Sequence, residues 1–535
     1  MKKSIIPLFR YSIIPLFRYC ILLASVGCSS NEQSQIIDSS IIDRYVEQFN
    51  QSDEELYIQT FPNAQAAGFL KENIPLFECP DKTLEEIYYF RWWTYRKHVK
   101  QTPEGYIITE FLPDVSWAGK YNGISCPAML HYDEGRWLRN QTYLDDYANY
   151  WLRGGGSPRS YSFPIAHALY GYYLVTGNDS LVRELLPDLM LNYGEWEKER
   201  FDESRGLFWQ IDDRDGMEWS ICGSGFRATI NSYMAAEARA IASIGHMMRD
   251  NRAEKYGEKS ASILKNMLQL LWDREAGFFK VLSREENATL CDARELHGYT
   301  PWAFDLVGPE YAGAWKFIMD TTYFYAPYGP TTAERCHPGF SISYEGRKAC
   351  KWNGPSWPLA TSITLTGLAN LLNNQEQNYI TNEDYFDLLR IYTKCHYRTK
   401  EDGTVVPWID ELINPFNGDW IARTMYKNWG WSYTPKERGK DYNHSSFCDL
   451  VISGLIGIRP QEGNILVVHP LLPDGKWDYF CLENVPYHGK NITVLYDKTG
   501  AKYRKGKGLI VFVNGKKVAS SQGLSALKCE MMAKI

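Results

Sequence analysis

The sequence predicts a mainly α fold, a six-hairpin (α/α) toroid followed by a small C-terminal antiparallel β domain. Apolar residues recur at helical spacing through residues 46–455 of the 535-residue chain, and short alternating segments follow from residue 456. The form Asp-x-x-x-Gly-apolar-Phe occurs at 202–208 and again at 273–279, 71 residues later. One such interval is the length of a long helical hairpin, and the helical region has room for six of them.

The N-terminal residues have the form of a bacterial export signal (1–27) followed by a flexible tether (28–45). Lys2 and Lys3 precede an apolar run that ends in small residues. Val26-Gly27-Cys28 resembles a lipobox, in which the cysteine is acylated and becomes the mature N-terminus. We therefore expect an exported protein that is lipid-anchored at Cys28 in the bacterial cell envelope, on the periplasmic or outer-membrane surface, and that contacts the membrane through this anchor only.

Several signals mark helices within the toroid, at residues 46–455. Thr83-Leu84-Glu85-Glu86 has the form of a capping box, and apolar residues follow it at helical spacing. Ser162-Phe163-Pro164 predicts another helix start, because proline suits the first turn. Residues 357–372 are apolar or small on nearly every side, which predicts a helix buried all round, as in the inner layer of a double-layered barrel.

Short alternating segments predict the strands of the C-terminal β domain, residues 456–535. They lie at 464–468, 477–482, 491–496 and 509–513. Val513-Asn514-Gly515-Lys516 after the last of them predicts a two-residue hairpin turn.

Composition excludes some functions and favours others. The net charge is -6 and no long Lys/Arg run occurs, so no nucleic-acid partner is expected. The cysteines after Cys28 lack CxxC spacing, which indicates neither a zinc site nor a disulfide framework. Buried free thiols are expected, and isolated disulfides after export stay open as the alternative. The chain has 18 Trp and 37 Tyr, whose flat rings suit the apolar faces of sugars, although most of them will pack in the core.

Two segments present carboxylates in settings that suit glycoside hydrolysis. Asp215-Gly216-Met217-Glu218-Trp219-Ser220 places acids beside aromatic rings, where a raised pKa becomes possible, and Glu411 begins Glu411-Leu412-Ile413-Asn414-Pro415-Phe416-Asn417-Gly418. The reaction needs one protonated carboxyl group, which donates to the leaving oxygen, and one ionised carboxylate. The alternative interpretations are a solvated acidic loop and an ordinary Asn-Pro turn.

These segments resemble the inverting α-glycosidases of glycoside hydrolase family 63 and their trehalase relatives, including the mannosylglycerate hydrolase-like barrel. The resemblance implies that Glu218, at a position where the family has Asp, is the general acid. Asp212, Asp213 and Asp215 stay open as alternative donors because of that replacement. Glu411 matches the general base of the family pattern Glu-x-x-x-Pro-x-x-Gly.

A third segment, Trp352-Asn353-Gly354-Pro355-Ser356-Trp357, resembles the family signature Trp-Arg-Gly-Pro-x-Trp, which lines the sugar subsite. Asn353 replaces the usual Arg. His444 is a further candidate, with capping as the alternative role. The residues that we expect to bind substrate are Asp215, Trp352, Asn353, Gly354, Trp357, Trp117, Tyr121, Arg136, Trp137 and Asn231.

The sequence therefore predicts a glycoside hydrolase that acts by inversion on α-linked oligosaccharides or polysaccharides and needs no metal or organic cofactor. Two alternative enzymes use the same barrel: an α-L-rhamnosidase-like hydrolase, and a polysaccharide lyase with Tyr, His or Lys as its base. A third alternative is a non-catalytic glycan-binding lipoprotein, which would keep the aromatic cleft and tolerate loss of either carboxylate.

Overall fold

Two concentric rings of helices surround a common axis in the computed structural model, which describes residues 35–531 of the chain. The α-helices are α1 (Ser40–Ser52), α2 (Ala66–Asn73), α3 (Lys82–His98), α4 (Ala128–Gly135), α5 (Thr142–Leu152), α6 (Ile165–Thr176), α7 (Ser180–Arg200), α8 (Ala228–Met248), α9 (Ala253–Leu270), α10 (Thr300–Ala303), α11 (Pro358–Asn374), α12 (Asn382–Cys395), α13 (Ile421–Asn428) and α14 (Phe447–Asp449). Shorter turns of 3-10 helix lie at Asn63–Gln65, Lys120–Asn122, Asp212–Asp215, Leu296–Tyr299 and Pro309–Phe317, and a π-helix spans Leu450–Leu455.

The inner ring consists of α4, α6, α8, α10, α11 and α14, which the π-helix continues. Contacts between successive members, and between α14 and α4, close this ring. Each inner helix follows one outer helix along the chain, in the order α3, α5, α7, α9, the 3-10 helix Pro309–Phe317 and α12. The predicted six-hairpin (α/α) toroid is thereby confirmed.

Helix α11 of the inner ring is buried on nearly every side, as the sequence predicts for residues 357–372. Pro358 stands in the first turn of α11, and the buried residues of that helix point in all directions. Alanines occupy much of α8, and their small side chains let neighbouring helices pack closely against it.

Short antiparallel hairpins follow four of the outer helices. The strands of the chain are β1 (Leu76–Glu78), β2 (Val99–Thr102), β3 (Gly105–Ile108), β4 (Phe201–Asp202), β5 (Leu207–Gln210), β6 (Gly225–Phe226), β7 (Trp272–Asp273), β8 (Phe278–Phe279), β9 (Tyr397–Thr399), β10 (Val405–Pro407), β11 (Ile458–Arg459), β12 (Ile465–Val468), β13 (Tyr479–Tyr487), β14 (Lys490–Asp497), β15 (Gly508–Val513), β16 (Lys516–Ser521) and β17 (Leu527–Glu530). The repeated sequence form corresponds to β4–β5 and β7–β8, where Phe201 pairs with Phe208 and Trp272 with Phe279.

The C-terminal strands form two antiparallel sheets, with strand orders β1-β13-β14-β15-β16 and β11-β12-β17. The four predicted strands are present, and Val513 pairs with Lys516 across a turn in which Asn514 (φ 47°) and Gly515 (φ 72°) both have positive φ. The edge strand β1 precedes α3 and lies inside the range predicted as toroid, which the sequence analysis did not anticipate.

Two helix starts test the capping predictions. The cap of α3 is Asp81, whose carboxylate accepts a hydrogen bond from the Leu84 amide at 3.2 Å, so the predicted capping box at Thr83 is wrong by two residues. The start predicted at Pro164 is confirmed, because α6 begins at Ile165.

The export signal and Cys28 lie outside the described residues, so the lipid anchor stays a prediction. Helix α1 begins at Ser40, inside the range predicted as tether, because Ile41, Ile42 and Tyr45 are buried on the side that faces α3. No helix within residues 35–531 is long and apolar enough to cross a membrane.

Candidate active site

A cavity of about 70 Å³ lies where the segments that follow three of the hairpins converge. Glu110 follows β3, Glu218 follows β5 and Glu411 follows β10, and all three line this cavity. The other lining residues are mostly aromatic or thiol-bearing: Phe111, Trp117, Ile124, Cys126, Tyr161, Gly216, Cys350, Trp352, Trp357, Leu359, Arg438, Tyr442 and His444. The two glutamates predicted as acid and base are therefore neighbours in space.

The loop that carries Glu218 is held by Asp212 at its start. The Asp212 carboxylate accepts hydrogen bonds from the Ser220 amide (3.2 Å) and hydroxyl (2.7 Å), and it pairs with Arg227 at 2.7 Å. These contacts close the loop on itself and leave Glu218 at its tip, facing the cavity.

The Glu218 carboxyl group is half-buried, and its pKa is raised to about 7. Burial is the largest cause, and the negative charges of Asp213 and Glu411 add to it. The nearby guanidinium of Arg227 forms ion pairs with Asp212 and Asp215. A carboxyl group in this state can hold a proton near neutral pH.

The aspartates that were left open as donors lie away from the cavity. Asp215 is buried, pairs with Arg227 at 2.9 Å and accepts a hydrogen bond from the Thr229 hydroxyl. Asp213 is exposed to solvent, and Asp212 is used within its loop. Of the four acids in this segment, only Glu218 lines the cavity.

A disulfide bond between Cys222 and Cys291 follows the Glu218 loop directly. This pair follows the alternative of an isolated disulfide and not the default of free thiols. The neighbouring Ile221 amide donates to the Glu295 carboxylate at 2.7 Å, so the loop is tied covalently and by a hydrogen bond to the segment after β8.

Glu411 is buried with only 2% of its surface exposed, and it pairs with Arg438. The Arg438 Nε–H donates to Glu411 Oε1 at 3.0 Å, and the Cys350 thiol donates to Oε2 at 3.4 Å. A guanidinium at this distance stabilises a charged carboxylate. Glu411 therefore differs in its electrostatic environment from Glu218.

The Glu411 loop is joined by backbone pairing to the loop that carries the tryptophans. Ile413 and Ser356 exchange two amide-to-carbonyl hydrogen bonds, of 2.9 and 3.0 Å. The turn after Ile413 closes through Gly418, which has φ +79° and whose amide donates to the Asn414 carbonyl at 3.0 Å. The Gly of the sequence pattern thus closes the turn that follows Glu411.

The tryptophan segment forms one wall of the cavity. Trp352 and Trp357 stack with ring centroids 4.6 Å apart and an interplanar angle of 15°. The Trp357 indole donates to the Lys351 carbonyl at 2.7 Å. Asn353 and Gly354 support this wall without lining it: the Asn353 amide group donates to the Gly339 carbonyl, and the Gly354 amide donates to Thr332.

Glu110 is a third carboxyl group in the cavity, and the sequence analysis missed it. It is 4% exposed and accepts a hydrogen bond from the Tyr442 hydroxyl. Burial raises its pKa to about 8, and the charges of Glu411 and Glu218 contribute. No sequence motif surrounds Glu110, and its place after the hairpin β2–β3 becomes visible only in the structure.

The remaining predicted residues divide between this cavity and other places. Trp117 lines the cavity and is 46% exposed, with Arg438 over its ring at 5.1 Å. Asn231 binds both backbone groups of Phe208 at 2.8 Å, which fixes β5 against α8. Tyr121 lies outside the lining, next to Lys120.

Arg136 and Trp137 point to a different part of the barrel. Both bind Asp449, through the Arg136 Nη2 at 2.7 Å and the Trp137 indole at 2.6 Å. Arg136 lines a larger cavity of about 350 Å³ that none of the three glutamates reaches. Their role in substrate binding stays a prediction.

Comparison with known proteins gives two family matches. Residues 120–445 match the family described as "Mannosylglycerate hydrolase MGH1-like glycoside hydrolase domain". Residues 458–520 match "Glycosyl hydrolase family 65, C-terminal domain". Glu218 and Glu411 lie within the first match, and Glu110 precedes it.

Several solved structures resemble this chain. One named "Sialidase" is 40% identical with a TM-score of 0.86, and the alignment covers 92% of this chain and 45% of that one. The α-L-rhamnosidase from Dictyoglumus thermophilum is 12% identical with a TM-score of 0.52, covering 80% and 43%, which is a likeness of fold alone. A family 63 mannosylglycerate hydrolase from Thermus thermophilus is 11% identical with a TM-score of 0.46, covering 66% and 96%. The chain spans less than half the length of the first two.

Proposed function

We propose, since this chain belongs to the family of MGH1-like glycoside hydrolases, that Glu218 and Glu411 hydrolyse a glycosidic bond with inversion at the anomeric carbon. Glu218 is the general acid and Glu411 is the general base. The resemblance to α-glycosidases supports an α-linked oligosaccharide or polysaccharide as substrate.

In this mechanism the two carboxyl groups act on opposite faces of the sugar. Glu218 gives its proton to the leaving oxygen as the bond from that oxygen to the anomeric carbon breaks. Glu411 takes a proton from a water molecule, whose oxygen forms the new bond to the same carbon. At the end of the reaction Glu218 is ionised and Glu411 is protonated. Proton exchange with solvent restores the starting state of both groups.

One observation carries the proposal: Glu218 and Glu411 line one small cavity in contrasting environments. The pKa of Glu218 is raised to about 7, whereas Glu411 is paired with Arg438. Pairs of acids whose environments differ in this way are typical of an acid and a base with separate roles.

The same surroundings argue against a polysaccharide lyase. A lyase needs a base together with a group that neutralises the uronate carboxylate. The guanidinium of Arg438 is the positively charged group among the lining residues, and it already forms an ion pair with Glu411.

The test compares Glu218→Gln, Glu411→Gln and the control Glu237→Gln on a confirmed substrate. Glu237 is a buried glutamate that binds the backbone at the start of α6 and lies outside the cavity. We expect the first two variants to lose at least about a hundredfold in kcat with unchanged circular dichroism, and the control to stay near the wild-type rate. A near wild-type rate in either cavity variant contradicts its assignment.

The stereochemical claim has a separate readout. Proton NMR of the first product formed identifies its anomer before mutarotation, and inversion predicts the anomer opposite to that of the substrate. Retention of configuration would refute the inverting mechanism while leaving the hydrolase assignment intact.

We also propose that the protein is exported and anchored by a lipid at Cys28. The support is the lipobox-like sequence, together with the bond between Cys222 and Cys291, because disulfides persist in oxidising compartments. Native protein should partition into the detergent phase and Cys28→Ala protein into the aqueous phase. An unmodified Cys28 in the mass spectrum of the native protein would contradict the anchor.

A further inference from the structure

We infer that the larger cavity of the barrel is a second ligand site, which binds a small hydroxylated anion between the helix ring and the C-terminal β domain. This cavity is the one that contains Arg136, and its volume is about 350 Å³. In the part of the chain that the structure describes, it shares no lining residue with the catalytic cavity. The inference therefore concerns a separate site and does not depend on the proposed function.

The larger cavity lies at a different level of the inner ring from the catalytic cavity. The catalytic cavity is lined by residues just before an inner helix or in its first turn, such as Cys126 before α4 and Leu359 in α11. The larger cavity is lined from farther along the same helices, by Asp133 of α4 and by Thr366 and Asn370 of α11. Its volume falls within the range of about 300–1,000 Å³ that is typical of ligand sites.

Two arginines on different elements supply positive charge to this cavity. Arg239 of α8 donates to the backbone carbonyls of Phe304 and Asp305, and Arg459 of β11 donates to the Asn370 side chain. Neither arginine forms an ion pair within residues 35–531. A guanidinium has five N–H groups, so both side chains retain donors for a ligand.

The third arginine of the cavity shows the contrast with a paired guanidinium. Burial lowers the pKa of Arg136, but the charges of Asp449, which it binds at 2.7 Å, and of Asp133 raise that pKa above its ordinary value. Burial lowers the pKa values of Arg239 and Arg459, and the nearby carboxylates do not offset this effect. A bound anion would give these two arginines the partner that Asp449 gives to Arg136.

The other acids and the histidine in the lining leave the positive charge in excess. Burial raises the pKa of Asp133 to about 7, so this carboxyl group is about half protonated at neutral pH. Burial lowers the pKa of His167 to about 3, so its ring is neutral. Asp305 is exposed, and solvent screens its charge. Because Arg136 and Asp449 neutralise each other, the two unpaired arginines determine the sign of the charge in the cavity.

Uncharged polar side chains complete the lining. Among them are Ser243, Thr366 and Asn370. Hydroxyl and amide groups both donate and accept hydrogen bonds, so they suit the hydroxyl groups of a ligand. The lining therefore favours an anion that also carries hydroxyl groups, such as a sugar carboxylate or a sugar phosphate.

The experiment is isothermal titration calorimetry of the full chain at constant ionic strength, with glucuronate, glucose 6-phosphate and glucose as probes. The three probes share a ring and differ in charge. We expect saturable binding of at least one anion, at least about tenfold tighter than that of glucose, because hydrogen bonds to a charged group are the stronger ones. The comparison of the two anions shows whether the site prefers a carboxylate or a phosphate. Binding of glucose as tight as that of both anions, or no saturable binding of either anion, would overturn the inference.

Substitutions place the binding in this cavity. Arg239→Gln and Arg459→Gln should each weaken binding of the preferred anion by at least about tenfold. The matched control is Arg335→Gln, because Arg335 also donates to a backbone carbonyl, that of Tyr325 at 3.1 Å, and lies outside the cavity. It should leave the affinity unchanged. An equal loss in the control, or no loss in either cavity variant, would contradict the inference.

A further variant keeps the test decisive if the arginine variants do not fold. Asp305→Asn removes an exposed negative charge at nearly constant shape, and asparagine suits the positive φ of 51° at this position. It should tighten binding of the anion by about two- to fivefold, and an unchanged or weaker affinity would count against the site. The anion should not compete with a substrate of the hydrolase. Competitive inhibition would place the anion in the catalytic cavity and would also overturn the inference.

Discussion

The pH dependence of the reaction gives the sharpest test of Glu218. A general acid must be protonated to act, and burial raises the pKa of Glu218 from its ordinary value of 4.5 to about 7. At pH 7 a carboxyl group with a pKa of 4.5 is protonated in about 0.3% of molecules, and one with a pKa of 7 in about half of them. The environment of Glu218 thus increases the active fraction by about 150-fold at neutral pH.

The sign of the effect follows from the same values. The activity that depends on Glu218 is fully present below about pH 6 and falls as pH rises through about 7. The assay is kcat/KM between pH 4 and 9 on two substrates with the same sugar, an oligosaccharide with a poor leaving group and an aryl glycoside with a good one. Only the poor leaving group requires a proton, so the alkaline fall should be steep for the oligosaccharide and weak for the aryl glycoside.

Substitution identifies the group that titrates. Glu218→Gln should abolish turnover of the oligosaccharide but retain much of the rate on the aryl glycoside, without the alkaline fall. Glu110 also titrates in this range, with a pKa of about 8, so Glu110→Gln is the necessary comparison and should keep the fall near pH 7. If the fall persists in Glu218→Gln, or if that variant loses both substrates equally, Glu218 is not the general acid.

Further predictions concern the scaffold, and urea denaturation measures each of them. Arg438→Ala should lower the free energy of unfolding by about 3–5 kcal/mol, because it leaves a buried carboxylate unpaired; an unchanged value would mean that the ion pair adds nothing. Gly418→Ala and Gly403→Ala both place a side chain at a positive φ. Gly403→Ala should lower the free energy of unfolding by about 1 kcal/mol, because a side chain there would meet no atom within 4 Å. Gly418→Ala should lower it by more, because a side chain there would lie 2.5 Å from a tyrosine ring. Replacing Cys222 and Cys291 by Ser should cost about 2–4 kcal/mol under oxidising conditions and nothing under reducing ones.

The carboxylate pair illustrates how local sequence signals point to a site. Glu218 stands in an acidic loop between aromatic residues, and Glu411 begins a turn whose Pro and Gly have fixed positions. Both features depend on residues within about ten positions along the chain, so they can be recognised without knowledge of the fold. The same reason explains the helical period of the barrel and the strands of the C-terminal domain, since both are repeating local patterns.

Other parts of the site depend on contacts between distant segments. Glu110 has no motif around it, and its significance comes from the closure of the inner ring, which brings the segment after β3 to the cavity that the segments after β5 and β10 also line. Nothing in the sequence distinguishes Arg438 from the other basic residues. Its role as the partner of Glu411 depends on the packing of two loops.

The sequence alone therefore determined the helical toroid, its β domain and two of the three acids that line the cavity. Tertiary structure alone decided which other side chains join them. The cavity that the three glutamates line also contains an arginine and tryptophans, but Arg136 and Trp137 are not among them. Both bind Asp449 elsewhere in the barrel. The physical reason is that periodicity and turn chemistry depend on adjacent residues, whereas the meeting of side chains depends on how six hairpins close into one ring.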